Sequence, residues 1–481
     1  RVWGDGVVFE SNAARPVRPK SDAAPTALPH PNPLPLGEGQ GATRLWAKLC
    51  EMVNDPDATV RYQLAFTLGE VRGEAKIAPL AALARRDAGS LWTRAAILSS
   101  LAEGAGGVFI RLAGDAAFRA DPGGSEFLRQ LAVLVGAQNR AEDVAAVLAF
   151  AKSAPDATAR FQVLSALGDG LQRARQSLTA LGEPVLAALH EAMATARSAG
   201  APETARAAAA QLLAHARYAE AAPVLLELLD QNQPQAVQLA ALMALGRFTD
   251  AQLGPELVRR LNALSPRPRV SAVELLLARA DRARALLEGV QSGEIRPTLL
   301  DATQVKLLRE HRDRGVRDLA AKVLSAPGGG ARATVIEQFL PALQLRGDAA
   351  RGKKIYEDRC VSCHRAAGEG ASLGPDFITL KTTGREKILT NLIDPNAEVR
   401  PEFVGYVVET RDDETLMGLI VNETGTSITV RQAYGRETVV PRANILKMTS
   451  QGLSLMPEGL EAGLSAQDMA DLLEFIESAG N

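Results

Sequence analysis

Apolar residues recur at intervals of three and four from about residue 44 to residue 345, the period of helices that bury one stripe. The pattern also copies itself. Asp57-Ala58-Thr59-Val60-Arg61-Tyr62-Gln63-Leu64-Ala65-Phe66-Thr67-Leu68-Gly69 and Asp156-Ala157-Thr158-Ala159-Arg160-Phe161-Gln162-Val163-Leu164-Ser165-Ala166-Leu167-Gly168 agree at seven of thirteen positions. Looser copies centre on Arg94, Arg129, Arg206, Gln238, Arg269 and Arg317. With Arg61 and Arg160 in their places, the intervals are 33, 35, 31, 46, 32, 31 and 48 residues. Such a period, with two helices per unit, predicts an α-solenoid in which each helix pair buries its stripe against its neighbours. In the two best copies the opening aspartate is expected to cap the helix N-terminus, and the closing Gly69 or Gly168 its C-terminus.

The flanks read differently. Residues 1–43 are irregular: Pro29, Pro31, Pro33 and Pro35 fix φ and remove backbone donors, so a disordered or low-complexity leader is expected. Ala326-Pro327-Gly328-Gly329-Gly330 punctuates the chain ahead of a last helix near 333–345. Residues 346–481 then form a second unit. A helix over 347–356 leads into Cys360, and a helix over 385–394 ends at Asp394-Pro395. From Phe403 the period drops to 2. Phe403 to Thr410, Leu416 to Val421, Ser427 to Arg431 and Glu437 to Val440 predict a small antiparallel meander at about 403–441. An amphipathic helix capped by Ser465, with Met469, Leu472, Leu473 and Ile476 on its apolar face, closes the unit.

Composition supports a mainly α fold. Hydrophobic residues make up 46% of the 481 and aromatics only 4%, with Ala and Leu dominant. A net charge of −2 gives no reason to expect nucleic acid as a partner. There is no run of 18 apolar residues, so no transmembrane helix is expected. The chain opens Arg1-Val2-Trp3-Gly4 without Met, and a signal sequence upstream of it is expected. The three cysteines suit no disulfide framework.

Chemistry concentrates at Cys360-Val361-Ser362-Cys363-His364. The spacing C-x-x-C-H is that of covalent haem attachment: two thiols on one helical turn reach the two vinyl groups, and the next residue offers an axial nitrogen. A bare C-x-x-C could instead be half a zinc site or a thioredoxin-like pair. The only other cysteine is Cys50, and apart from His364 no histidine follows His311. His190, His215 and His311 are scattered along the repeats and read as surface or packing residues. Haem attachment implies export, so a periplasmic location is expected.

These residues resemble the cytochrome c family. More narrowly, they resemble the haem-binding domain of large exported proteins typical of Planctomycetes and Verrucomicrobia, in which HEAT-like repeats often precede the haem domain. The resemblance rests on the C-x-x-C-H motif, Asp394-Pro395-Asn396-Ala397-Glu398, the β insertion and Ser454-Leu455-Met456-Pro457-Glu458-Gly459-Leu460. It implies a HEAT-like α-solenoid (44–345) followed by a class I cytochrome c domain (346–481). Gly352 and Tyr356 then stand where small cytochromes c have a glycine and an aromatic. Gly374-Pro375 would supply the carbonyl that orients the His364 ring. Four methionines follow the motif. Met417 falls in a strand and Met469 on a core helix face; Met448, just past the last expected strand, is the runner-up. Met456, in a loop before the terminal helix, is the expected sixth ligand.

The reading is an electron carrier with one covalent haem c, bound by Cys360, Cys363, His364 and Met456, with His364 and Met456 on the iron. Its expected partner is a redox protein or an associated dehydrogenase, and the repeats are a scaffold or a surface for a protein partner. Two alternatives stand beside it: a haem enzyme or ligand sensor with an open distal site, and a repeat scaffold whose haem is only structural. The meander reads either as cover for the haem edge or as a docking surface.

Overall fold

The computed structural model describes residues 40–154, 156–324, 332–366 and 368–478. Nearly all of the expected leader, and the Ala326–Gly330 stretch, lie outside them. Among the described residues, seven helices stack into one continuous row: α1 (Ala58–Gly69), α2 (Leu91–Ser99), α3 (Pro122–Gln138), α4 (Ala157–Arg173), α5 (Glu203–Leu213), α6 (Gln235–Leu245) and α7 (Pro266–Leu277). Each packs on the next in this order. The helices between and after them, among them Ile77–Asp87 and Ala280–Gln291, pack alongside as a second layer. One apolar core runs through both layers from Val53 to Leu324. No helix among the described residues is long and apolar enough to cross a membrane.

The recurring Arg or Gln has a local job. Arg61 donates to the Asp55 carbonyl at 2.6 Å, Arg94 to Ala88 at 2.5 Å, Gln238 to Asp230 at 2.8 Å and Arg317 to His311 at 2.6 Å. Each side chain satisfies a loop carbonyl just ahead of its own helix, which would otherwise be buried without a donor. Asp57 and Asp156 do cap α1 and α4, accepting from the amides of Thr59 and Ala159.

The closing glycines are not caps. Gly69 is the last residue of α1, whose C-cap is Glu70, and Gly168 lies in the middle of α4. Both serve close packing. A Cβ at Gly69 would sit 2.7 Å from Ser100 Oγ, and one at Gly168 would sit 2.6 Å from the ring of His215. Gly168→Ala should therefore cost about 1–3 kcal/mol by overpacking, seen as a lower thermal midpoint of the helical region by circular dichroism.

The C-terminal unit has two further cores. α8 (Ala349–Arg359), α9 (Arg385–Ile393) and α10 (Ala466–Ser478) enclose Tyr356, Phe377, Leu389, Met469 and Leu473. The helix over Ala333–Phe339, expected to close the repeats, gives Phe339 to this core. Ser465 caps α10 as expected: its hydroxyl accepts from the Asp468 amide while Asp468 accepts from the Ser465 amide.

The meander is larger than the pattern predicts. β1 (Val404–Thr410), β2 (Thr415–Glu423), β3 (Ser427–Arg431) and β4 (Glu437–Pro441) follow the expected segments, but a fifth strand, β5 (Ile445–Ser454), is the longest. The order is β4-β3-β2-β1-β5, so β5 returns to pair antiparallel with β1. The insertion thus runs to Ser454, not Val440. Met448 is correspondingly not past the last strand: it lies inside β5, 1% exposed, in the core of the sheet. That burial removes it as an axial candidate.

The sheet is fastened to the repeats. The Gln231 side chain bonds the outer edge of β5, donating to the Leu446 carbonyl at 3.0 Å and accepting from the Met448 amide at 2.6 Å. Arg442, ion-paired with Glu423, donates to the Gln231 carbonyl at 2.9 Å. The Tyr406 hydroxyl donates to the Leu264 carbonyl at 3.0 Å. Arg269, 2% exposed, lies 5.1 Å from the centroid of the Tyr406 ring and donates to Ser450 Oγ. Thr298 donates to the Gly452 carbonyl.

Candidate functional site

α8 aims the motif. Asp348 caps it through the amides of Ala350 and Arg351, and Gly352 lets it cross α10 at close range: a Cβ there would lie 2.0 Å from the Asp471 carbonyl. Tyr356 is buried between Phe377 and Phe475, at centroid distances of 5.4 and 5.2 Å, and its hydroxyl reaches the carbonyls of His364 and Glu369, both at 2.9 Å. So the expected glycine and aromatic are both packing residues, and the aromatic also holds the backbone of the motif.

The motif itself is one tight turn. The Cys360 amide donates to Tyr356, and the His364 amide donates back to Cys360, each at 2.8 Å. Gly374 and Leu373 donate to the Cys363 carbonyl at 2.7 and 2.9 Å, which folds the following loop against the turn. That loop brings the Pro375 carbonyl to 2.9 Å from His364 Nδ1. With Nδ1–H donating to Pro375, Nε2 carries the lone pair. Burial lowers the pKa of the His364 imidazole and the Pro375 contact partly opposes it, so the ring is neutral near pH 7. Burial pushes the Cys360 thiol up to about 12. A thiol held protonated is a poor redox nucleophile, against the thioredoxin-like reading. Among the described residues no group of three or more His, Cys, Asp or Glu side chains is placed to hold a metal ion.

A cavity opens beside this turn. Cys363, His364, Leu373, Gly374 and Pro375 line it from the motif, and Ser454, Leu455 and Met456 from the end of β5. Phe403, in the turn just ahead of β1, and Leu419, on β2, complete it. Met456 is half-buried, its amide donating to Ser454 Oγ at 3.1 Å. Met417 is 56% exposed and Met469 is fully buried in the helical core. The structure thus brings Cys363, His364, Gly374, Pro375 and Met456 around one space, with Cys360 at the start of the same turn.

The cavity suits a thioether-linked haem on three counts. The His364 Nδ1 is engaged, which leaves Nε2 for a metal. The walls are mainly apolar. Space beside the imidazole depends on Gly374, where a Cβ would lie 2.4 Å from the ring. Phe403, Leu419 and Leu455 were not marked by spacing, and only their adjacency to the strand ends or to Met456 could have pointed to them.

The sheet reaches the motif from outside the cavity too. The Tyr434 amide donates to the Ser362 carbonyl at 2.8 Å, and Arg431 donates to the Ser372 carbonyl at 3.0 Å. The β3–β4 turn therefore rests on the attachment loop.

Residues 349–412 match the family model for cytochrome c. The match takes in Cys360, Cys363, His364, Gly374 and Pro375, and ends ahead of Met456. A cytochrome c domain implies covalently bound haem c and supports haem-based electron transfer at that general level. No curated protein matches the chain. Among solved structures, human deoxyhypusine hydroxylase in complex with glycerol is similar at 18% identity over 58% of this chain and 95% of that one, with a TM-score of 0.21.

Proposed function

We propose that this chain is an exported, periplasmic electron carrier with one haem c, held by Cys360 and Cys363 and ligated on its two faces by His364 and Met456. The observation that carries this reading is that His364 and Met456, 92 residues apart in sequence, line one cavity. When bound, haem c supplies a one-electron couple, and a thioether ligand raises its potential. The chain's own residues do the rest. Pro375 sets the His364 tautomer, Tyr356 and Phe377 fix the turn, and Phe403 and Leu419 keep water from the cavity. The repeats up to Leu324 serve as a HEAT-like arm, and the chain from 332 on serves as the cytochrome unit, with an associated dehydrogenase as the donor.

The test is a visible spectrum of the full chain matured in a c-type-competent periplasm, oxidised and reduced, for wild type and Met456→Ala. The wild type is expected to be low-spin, with the far-red methionine–iron(III) charge-transfer band, and the variant to lose that band. A high-spin wild type that binds CO readily would sink the electron-carrier reading in favour of ligand chemistry.

A further inference from the structure

β5 runs from the repeats to the cavity. Every second residue from 446 to 454 is tied down, through backbone groups at Leu446, Met448, Gly452 and Ser454 and through the side chain at Ser450. Leu446 and Met448 are held by Gln231, Ser450 by Arg269, and Gly452 by Thr298. Ser454 is held next, its amide donating to Asn396 Oδ1 at 3.0 Å, and Met456 then enters the cavity. The first four ties come from the repeats. An edge strand exposes its backbone groups on alternate residues, so one row of partners can grip it along its length. At about 3.3 Å per residue, the last tie to the repeats, at Gly452, stands only about 13 Å of strand from Met456.

The grip departs from the plan of the repeat. Arg61, Arg94 and Arg317 each place a guanidinium nitrogen on the loop ahead of their own helix, and Arg61 also pairs with Asp87. Arg269, at the equivalent position, turns to the sheet and bridges the cross-strand pair Tyr406 and Ser450. Among the described residues it is in no ion pair, and burial lowers its pKa. A buried cation is expensive, so its cradle of ring face and hydroxyl must be well formed for the charge to stay there.

We propose that the repeats position the sixth ligand: Arg269 and Thr298 are positioning residues that act through β5 to hold Met456 in the cavity. This rests on the reading of Met456 as an axial ligand. It makes the arm more than a passive scaffold. Whatever shifts the segment 264–299 against the sheet alters the hold on Met456, and with it the reduction potential.

The experiment uses the full haem-loaded chain and two variants, Thr298→Val and Arg269→Met. The control is Arg282→Met, another buried arginine, bonded to the Phe248 carbonyl within the repeats. Two readouts are taken: the far-red band with the rate of CO binding, and amide hydrogen exchange over residues 450–456. Both test variants are expected to weaken the band, bind CO at least tenfold faster and exchange at least tenfold faster over 452–456, with the control unchanged. If Arg269→Met fails to fold, Thr298→Val alone decides, since it removes one hydrogen bond from a part-buried site. The proposal is overturned if folded test variants keep the wild-type band and exchange rates, or if Arg282→Met changes them equally. A wild type without the band refutes the ligand assignment instead. The exchange rates then decide by themselves whether the repeats hold the loop.

Discussion

Alanine at Gly374 should cut covalent haem incorporation at least tenfold, or leave a high-spin product, although it adds a single methyl group. Its Cβ would lie 2.4 Å from Cε1 of His364 and 2.8 Å from both ring nitrogens. Contact between carbons is comfortable at about 3.5–4.0 Å, so the ring has to move by more than 1 Å. It cannot do so freely, because the Pro375 carbonyl holds its Nδ1 at 2.9 Å. Gly374 is not among the positive-φ glycines, so backbone strain adds nothing and the effect is steric. Overpacking of this kind costs about 1–3 kcal/mol, roughly tenfold per 1.4 kcal/mol. Haem staining per mole of protein, with the Soret position, reads the outcome. Wild-type incorporation and spectrum in Gly374→Ala would mean that His364 does not need this wall.

Asp471→Ala should be the most damaging substitution in the cytochrome unit outside the motif. Its side chain is fully buried where α10 crosses α8. The carboxylate accepts from the Asp348 amide at 2.8 Å, from Arg351 Nε at 2.5 Å and Nη2 at 3.0 Å, and from Gln467 at 2.9 Å. Hydrogen bonds to a charged group contribute about 1.5–3 kcal/mol each, and their removal leaves the Asp348 amide without its partner. A loss of about 3 kcal/mol or more is expected in urea unfolding followed by haem absorbance. Burial alone would raise the pKa of this carboxyl. The bonds from Arg351, Gln467 and the Asp348 amide outweigh burial and hold it below the usual carboxylate range. A depressed folded-state pKa stabilises above the unfolded value, near 4, and that stability drains away as pH falls further through the folded value. Asp471→Asn should flatten this part of the acid profile. An unchanged profile would assign the acid sensitivity to another group.

The parts that could be read from sequence are those where local chemistry decides. Covalent attachment demands the C-x-x-C-H spacing, whatever the surrounding fold. α8, α9 and α10 announce themselves by period and by caps such as Ser465. The repeat arginines were visible as a recurrence, though their loop-carbonyl bonds were not. β5 was missed for a physical reason. Its Ser450-Gln451-Gly452 segment breaks the alternation of apolar residues, because Arg269 and Thr298 supply partners that sit some 150–180 positions away. Met448 was misplaced as a consequence. Gly168 misled in another way: a glycine ending an apolar run looks like a helix stop, but here it makes room for His215, just past the next helix of the row. The placement of Met456 beside His364 was expected from the resemblance, and the cavity lined by both residues supports it.

The Gln231 amide on the rim of β5 has a consequence for any attempt to study the cytochrome unit by itself. Its carbonyl and amino groups imitate one peptide unit of a neighbouring strand. Cutting the chain ahead of the helix Ala333–Phe339 removes that imitation and uncovers the longest strand of the sheet along its free side. Unpaired strand rims recruit one another, so the fragment is a template for intermolecular β-pairing. Self-association of the isolated unit would then record the loss of its arm, and not a native oligomer.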